Sequence, residues 1–162
     1  MRRKREELIP LLDGIQYLYL NHISEPRDNS VRILVDEATD GPADSSGSSA
    51  ANKAPQTRFG AIKSTAKCRR FEFFWERYVA YLVTEESAGS MGHYEDEVSE
   101  GCLFSVFKKS HFLDHISRDT GGHSRPVLHF KISCLNHLID VASYDPPEVR
   151  VPGTVGEIEM PN

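Results

Sequence analysis

Residues 128–143, LHFKISCLNHLIDVAS, form the longest apolar-rich run of this chain without glycine or proline. The first half alternates, with Leu128, Phe130, Ile132 and Cys134 on one side and His129, Lys131 and Ser133 on the other. The second half alternates in the opposite phase, setting Leu135, His137, Ile139 and Val141 against Asn136, Leu138 and Asp140. A strand sends successive side chains to opposite faces. A change of phase therefore implies a bulge near Cys134 and Leu135, or burial on both faces. The expectation is one long central strand. A second run, RFEFFWERYVAYLVT at residues 70–84, is apolar on both parities: Phe71, Phe73, Trp75, Val79, Tyr81 and Val83 against Phe74, Tyr78, Ala80 and Leu82. It reads as another central strand, or as strand, bend and strand around Glu76 and Arg77. A buried helix is the rival, and the β-branched and aromatic content favours strand. The two ribbons are expected side by side at the heart of one body.

The rest of the chain is arranged around them. Residues 2–12 suit a short helix, with Pro10 as an objection to a regular interior. Ile15, Tyr17 and Tyr19 alternate with Gln16, Leu18 and Leu20; Val31, Ile33 and Val35 alternate with Arg32, Leu34 and Asp36; and SEPRDN between them has turn chemistry. An antiparallel hairpin follows. Residues 40–58 contain no large apolar side chain and read as a flexible insert, because they cannot bury enough surface to offset ordering entropy. Residues 85–101 carry Glu85, Glu86, Glu95, Asp96, Glu97 and Glu100 without a Lys or Arg, and read as an acidic loop. Residues 103–108 read as a short strand. Ser110 then stands as an N-cap before a helix over 110–119, whose apolar face is Phe112, Leu113 and Ile116 and which stops at Gly121 and Gly122. The predicted architecture is α+β. It has a single antiparallel sheet of about five or six strands, the 110–119 helix packed on it, and a possible short N-terminal helix. Residues 1–152 form the domain and residues 153–162 a loose tail.

Composition limits the functional classes. The 162 residues carry a formal net charge of −5, which argues against a broad nucleic-acid-binding face. No run approaches the ~20 apolar residues of a membrane span. No signal peptide is read at the basic N-terminus. Cys68, Cys102 and Cys134 are odd in number and far apart, which fits a reducing compartment better than a disulfide framework, and the expected location is the cytoplasm.

Several residue groups compete for chemical roles. His111 and His115 are four apart and share a helix face, a spacing that suits two metal ligands. The zinc-peptidase pattern is missing, because Phe112 stands where its glutamate belongs. His129, His137, Asp140 or the acidic loop would complete such a set. His129 and His137 share a parity and flank the phase change, and Asp140 beside His137 would make an acid–base pair. Cys134 and His137 are three apart on a strand and face oppositely, so Cys134 reads as a structural thiol. Glu95, Asp96, Glu97 and Glu100 offer a one-signed surface for a basic protein partner. Trp75 and Tyr81 are candidates for a small-ligand pocket. No phosphate loop, serine elbow or cofactor motif is present.

WERYVAYLVTEES, FKKSHFLDHISRDT and HFKISCLNHLIDVAS together resemble a family of small bacterial proteins of unknown function. The likeness spans roughly residues 71–147 and rests on Tyr78-Val79-x-Tyr81, Lys109-Ser110-x-x-Leu113-Asp114 and Cys134-Leu135-Asn136-His137. It implies an architecture and no site. By analogy, small acidic bacterial proteins of this kind include immunity and antitoxin partners. The leading expectation is therefore a cytoplasmic protein-interaction module, immunity-like or accessory, with no cofactor. The alternative is a metal-dependent or acid–base enzyme using His111, His115, His129 and His137.

Overall fold

The computed structural model describes residues 9–12, 14–41, 61–88, 94–119, 121 and 125–157. A 3-10 turn at Ile9–Leu12 leads into β1 (Tyr17–Ser24) and β2 (Val31–Asp40). These pair antiparallel, as their alternation predicts, with a bulge between Leu20 and His22. Then come β3 (Ile62–Lys63), β4 (Arg69–Trp75), β5 (Tyr78–Glu85), β6 (Val98–Gly101) and β7 (Phe104–Lys109). Helix α1 (His111–Asp119), β8 (Leu128–Ser133), β9 (His137–Ser143) and β10 (Glu148–Thr154) complete the order. Of the span expected to form an N-terminal helix, Ile9–Leu12 is a 3-10 turn, and residues 2–8 lie outside the described ones. The expected insert at 40–58 also lies outside them from residue 42 onward. Residues 153 and 154 belong to β10, opposite Arg70 and Arg69, so the body extends past the expected tail boundary.

The strands form two antiparallel five-stranded sheets, not one. The first runs β1-β2-β4-β10, with β3 added to the end of β2; the second runs β5-β9-β8-β7-β6. Their inner faces share one core. Val31, Ile33, Val35, Phe71, Phe73 and Trp75 come from the first sheet, and Phe104, Val106, Phe130, Ile132, Ile139 and Val141 from the second. Phe73 stacks on Phe104 with centroids 5.3 Å apart, and Trp75 leans on Phe130 at 5.8 Å. This corrects the expected single sheet with one packed helix. The reason is area. A nine-residue helix is only about 13 Å long, far too little to cover the apolar face of five strands, whereas a second sheet covers it fully.

Both long ribbons break. Residues 70–84 are β4 and β5, and the bend at Glu76 and Arg77 carries the chain from one sheet to the other. Residues 128–143 are not a bulged strand but a hairpin, β8 and β9, reversing through Cys134, Leu135 and Asn136. A change of phase is what a tight reversal also produces. The two ribbons do meet, through β5 and β9, but β4 lies in the other sheet. Helix α1 occupies nearly the expected span and packs on the outer face of the second sheet beside β8.

Candidate functional site

Core residues alternate with outward ones along β7, β8 and β9. The register sets Ser105 opposite Lys131, Phe107 opposite His129, Lys131 opposite Asp140 and Ser133 opposite Leu138, all on the outer face of the second sheet. At one end of this face opens a cleft of about 400 Å³. Phe107, Leu138 and Leu135 supply apolar floor, and Leu18 and Leu103 supply apolar wall. The polar side chains are Gln16, Tyr17, Glu86, Glu97, Ser99, Ser105, Lys131 and Ser133. The rim at Cys102 and Leu103 depends on Gly101, which has φ +100° and whose place a Cβ would fill only 2.1 Å from the Phe104 carbonyl oxygen. The Ser105 hydroxyl donates to the Cys102 carbonyl at 3.0 Å and braces the same turn.

The charges in the cleft are unequal. Glu86 and Glu97 stand at the two ends of the connection from β5 to β6, which passes from one edge of the sheet to the other. Glu97 also accepts the N–H of His111 at 2.8 Å, at the first turn of α1. Lys131 is the cation among the lining residues, and its Nζ lies 3.9 Å from Asp140 Oδ1. Cys134 is buried, and burial pushes its thiol up to about 12, so it stays protonated and inert at neutral pH.

Beside the cleft runs a buried polar array. His129 lies between Phe107, at 4.3 Å, and Phe112, at 5.0 Å. Its Nε2 is 2.9 Å from Asp140 Oδ1, and its Nδ1 is 2.9 Å from Ser110 Oγ. As a carboxylate, Asp140 only accepts, which places a proton on Nε2; a neutral ring then accepts the Ser110 hydroxyl proton at Nδ1. The connectivity has the logic of an activated serine. Its setting does not. Ser110 is 2% exposed, and its Oγ already accepts the Leu113 N–H at 3.2 Å as the N-cap of α1. The array ties the helix start to the sheet.

The histidines singled out in sequence separate. His111 is exposed, with Nε2 2.9 Å from Asp96 Oδ1 and its ring edge-on to Tyr94. His115 faces Asp119 at 3.5 Å. His137 sits opposite Glu85 with Nδ1 buried and unpartnered, and Asp140 pairs with His129 rather than with it. Among the described residues, no three His, Cys, Asp or Glu side chains are grouped as a metal ion would require.

The acidic residues acquire counter-charges. Asp96 meets Lys109 as well as His111, which together hold its carboxyl below the usual range. Glu100 pairs with Lys108, while Glu95 stays exposed. Trp75 is fully buried in the core, and the Tyr81 hydroxyl donates to Glu25, so neither lines the cleft.

The partnership of His129 with Asp140, and the apolar floor at Phe107 and Leu138, become visible once the reversal is placed at Cys134–Asn136, because parity then puts all four on one face. No helix among the described residues is long and apolar enough to cross a membrane. No protein-family model, curated protein or solved structure matches this chain, and what the cleft can hold follows from its own walls.

Proposed function

We propose that this chain is a binding protein whose cleft takes a small amphipathic molecule with an apolar body and a positively charged amine. One observation carries the reading: a mostly apolar cleft of about 400 Å³ is bordered by two carboxylates, while its lysine is already directed to Asp140. An apolar concavity with polar groups at fixed places along its border is the usual composition of a ligand site. An anionic ligand would meet Glu86 and Glu97; an amine is complementary to them. The three cysteines are free thiols, in keeping with action in the cytoplasm.

Matched probes test this. Phenylethylamine is expected to raise the melting temperature in a concentration-dependent manner, whereas phenylpropionate and phenylethanol do so weakly or not at all. Glu86→Gln reduces the amine effect, and Ser133→Phe, which fills the cleft floor, abolishes it. Equal stabilisation by amine and carboxylate would overturn the charge assignment. An unchanged response in Ser133→Phe would move the site elsewhere.

A further inference from the structure

The four sheet edges are not alike. Strand β1 is covered at its free edge by the β8–β9 turn: Leu20 N–H donates to Asn136 Oδ1 at 2.9 Å, Asn136 Nδ2 donates to the Leu20 carbonyl at 3.0 Å, and Leu135 N–H donates to the Leu18 carbonyl at 2.8 Å. Strand β10 carries Pro152 and an irregularity between Arg150 and Gly153. Strand β6 has only four residues. Short edges, bulges, prolines and covering groups are the ordinary protections of a sheet edge.

Among the described residues, strand β5 has protection over its first half alone. A bulge separates Tyr78 and Ala80, Tyr78 N–H donates to the Asn29 carbonyl at 2.9 Å, and the hydroxyls of Tyr78 and Tyr81 both donate to Glu25. The second half, Leu82 to Glu85, has no lysine and no proline, and Leu82 and Val83 are 49% and 37% exposed. Among the described residues, no strand pairs with this side of it.

The register tells which backbone groups are free. Glu86 N–H donates to the Asn136 carbonyl, on the β9 side, and Glu86 continues the series that pairs Glu85 with His137. Alternation in an antiparallel ladder then turns Thr84 and Leu82 toward β9, and turns Glu85, Val83 and Tyr81 outward.

The geometry points to strand addition: the outer edge of β5 accepts an extended segment of another protein, antiparallel, with the pattern basic-x-apolar-x-basic. The apolar residue lies opposite Val83. One basic residue lies opposite Glu85. The other lies opposite Tyr81, within reach of Glu25, which Tyr81 holds at 3.0 Å. All these side chains share a face, because residues directly opposite in a ladder do. Main-chain bonds supply affinity and the alternate side chains supply selection. A second copy of this chain is a poor occupant. Two β5 strands paired about Val83 would set Glu85 of each against Tyr81, and hence Glu25, of the other. A net charge of −5 adds to that repulsion. This edge is separate from the cleft and does not depend on an amine binding there.

The test uses a capped heptapeptide, Thr-Lys-Thr-Val-Thr-Lys-Thr, and its counterpart with glutamate for lysine, titrated against the full chain to about 1 mM, the range of weak association. The lysine peptide is expected to shift the amide signals of Val83 and Glu85. The glutamate peptide is expected to bind at least about tenfold more weakly. Val83→Pro removes an outward N–H without touching the β9 ladder and is expected to abolish binding. Val83→Thr, which keeps that N–H, retains binding and separates loss of the edge from loss of the fold. Equal binding of the two peptides, no binding of either, shifts confined to other strands, or full binding by a folded Val83→Pro variant would each overturn the assignment. So would self-association of the free protein through β5.

Discussion

Single residues on the outer face of the first sheet carry more of the fold than their position suggests. Asp36 and Arg70 face each other across β2 and β4, and the guanidinium makes two bonds to the carboxylate, at 2.6 and 2.9 Å. Asn21 donates a third bond to the same carboxylate at 2.7 Å. Both side chains are almost fully buried, so removing one partner strands a buried charge. Asp36→Ala is expected to lower stability by about 3–5 kcal/mol, as for buried pairs generally. Replacing both, Asp36→Leu with Arg70→Met, costs much less; urea denaturation of the single and double variants measures the difference. A second residue-scale effect is alkaline. The bond to Glu25, chiefly, raises the Tyr78 hydroxyl to about 12. Its protonated form is thus favoured in the folded state. Its contribution is complete below about pH 10, the ordinary tyrosine value, and is lost as pH rises through the folded value. Burial of Cys134 acts in the same direction. Melting temperature followed from neutral to strongly alkaline pH should fall less steeply for Tyr78→Phe than for the parent chain. At the acid end, Arg69 holds the Glu37 carboxyl below its usual value, mainly by hydrogen bonding, so that contribution disappears as pH falls through the carboxylate range.

At the scale of elements, the legible features were those that local chemistry decides. Alternation places β1 and β2 and their hairpin. The hydroxyl at Ser110 followed by Phe112, Leu113 and Ile116 places the start and the buried face of α1. The side-chain phase of 128–143 was also readable, but not its cause. A bulge and a reversal both invert parity, and only long-range pairing separates them. The turn of that hairpin is tied to β1 by Asn136, whose amide satisfies the N–H and the carbonyl of Leu20 as a neighbouring strand would. Asn136→Ala leaves both backbone groups of Leu20 unmet, and is expected to cost about 1–3 kcal/mol, in line with unsatisfied part-buried groups. Asn136→Asp keeps the acceptor for the Leu20 N–H and loses the donor, so its deficit should be intermediate. Hydrogen exchange at Leu20 reports both. The candidate site was less legible than the strands. The Asp140 carboxylate beside His129 depends on the hairpin register, and the counter-charges for the acidic segment come from β7 and α1, next to it in space.

For the whole molecule, the order of strands in space is more telling than their number. The first sheet is built from β1 to β4 and completed by β10, while everything between belongs to the second. Composition and periodicity cannot reveal this. They report how apolar a strand is on each face, not which sheet it joins. Val149 is the buried contribution of β10 to the core, and the strand pairs along β4 through Phe74, Phe73 and Glu72. A chain ending at residue 147 is expected to lose several kcal/mol, roughly a buried valine together with its ladder bonds, and to expose the edge of β4. Thermal melting and light scattering against the intact chain test both effects. During synthesis, the last described strand emerges long after the partner it must join. A nascent polypeptide can thus shape its rear layer while the front one still gapes. The final seam is sealed only once β10 itself has been made, an interval in which a chaperone would find a bare margin to guard.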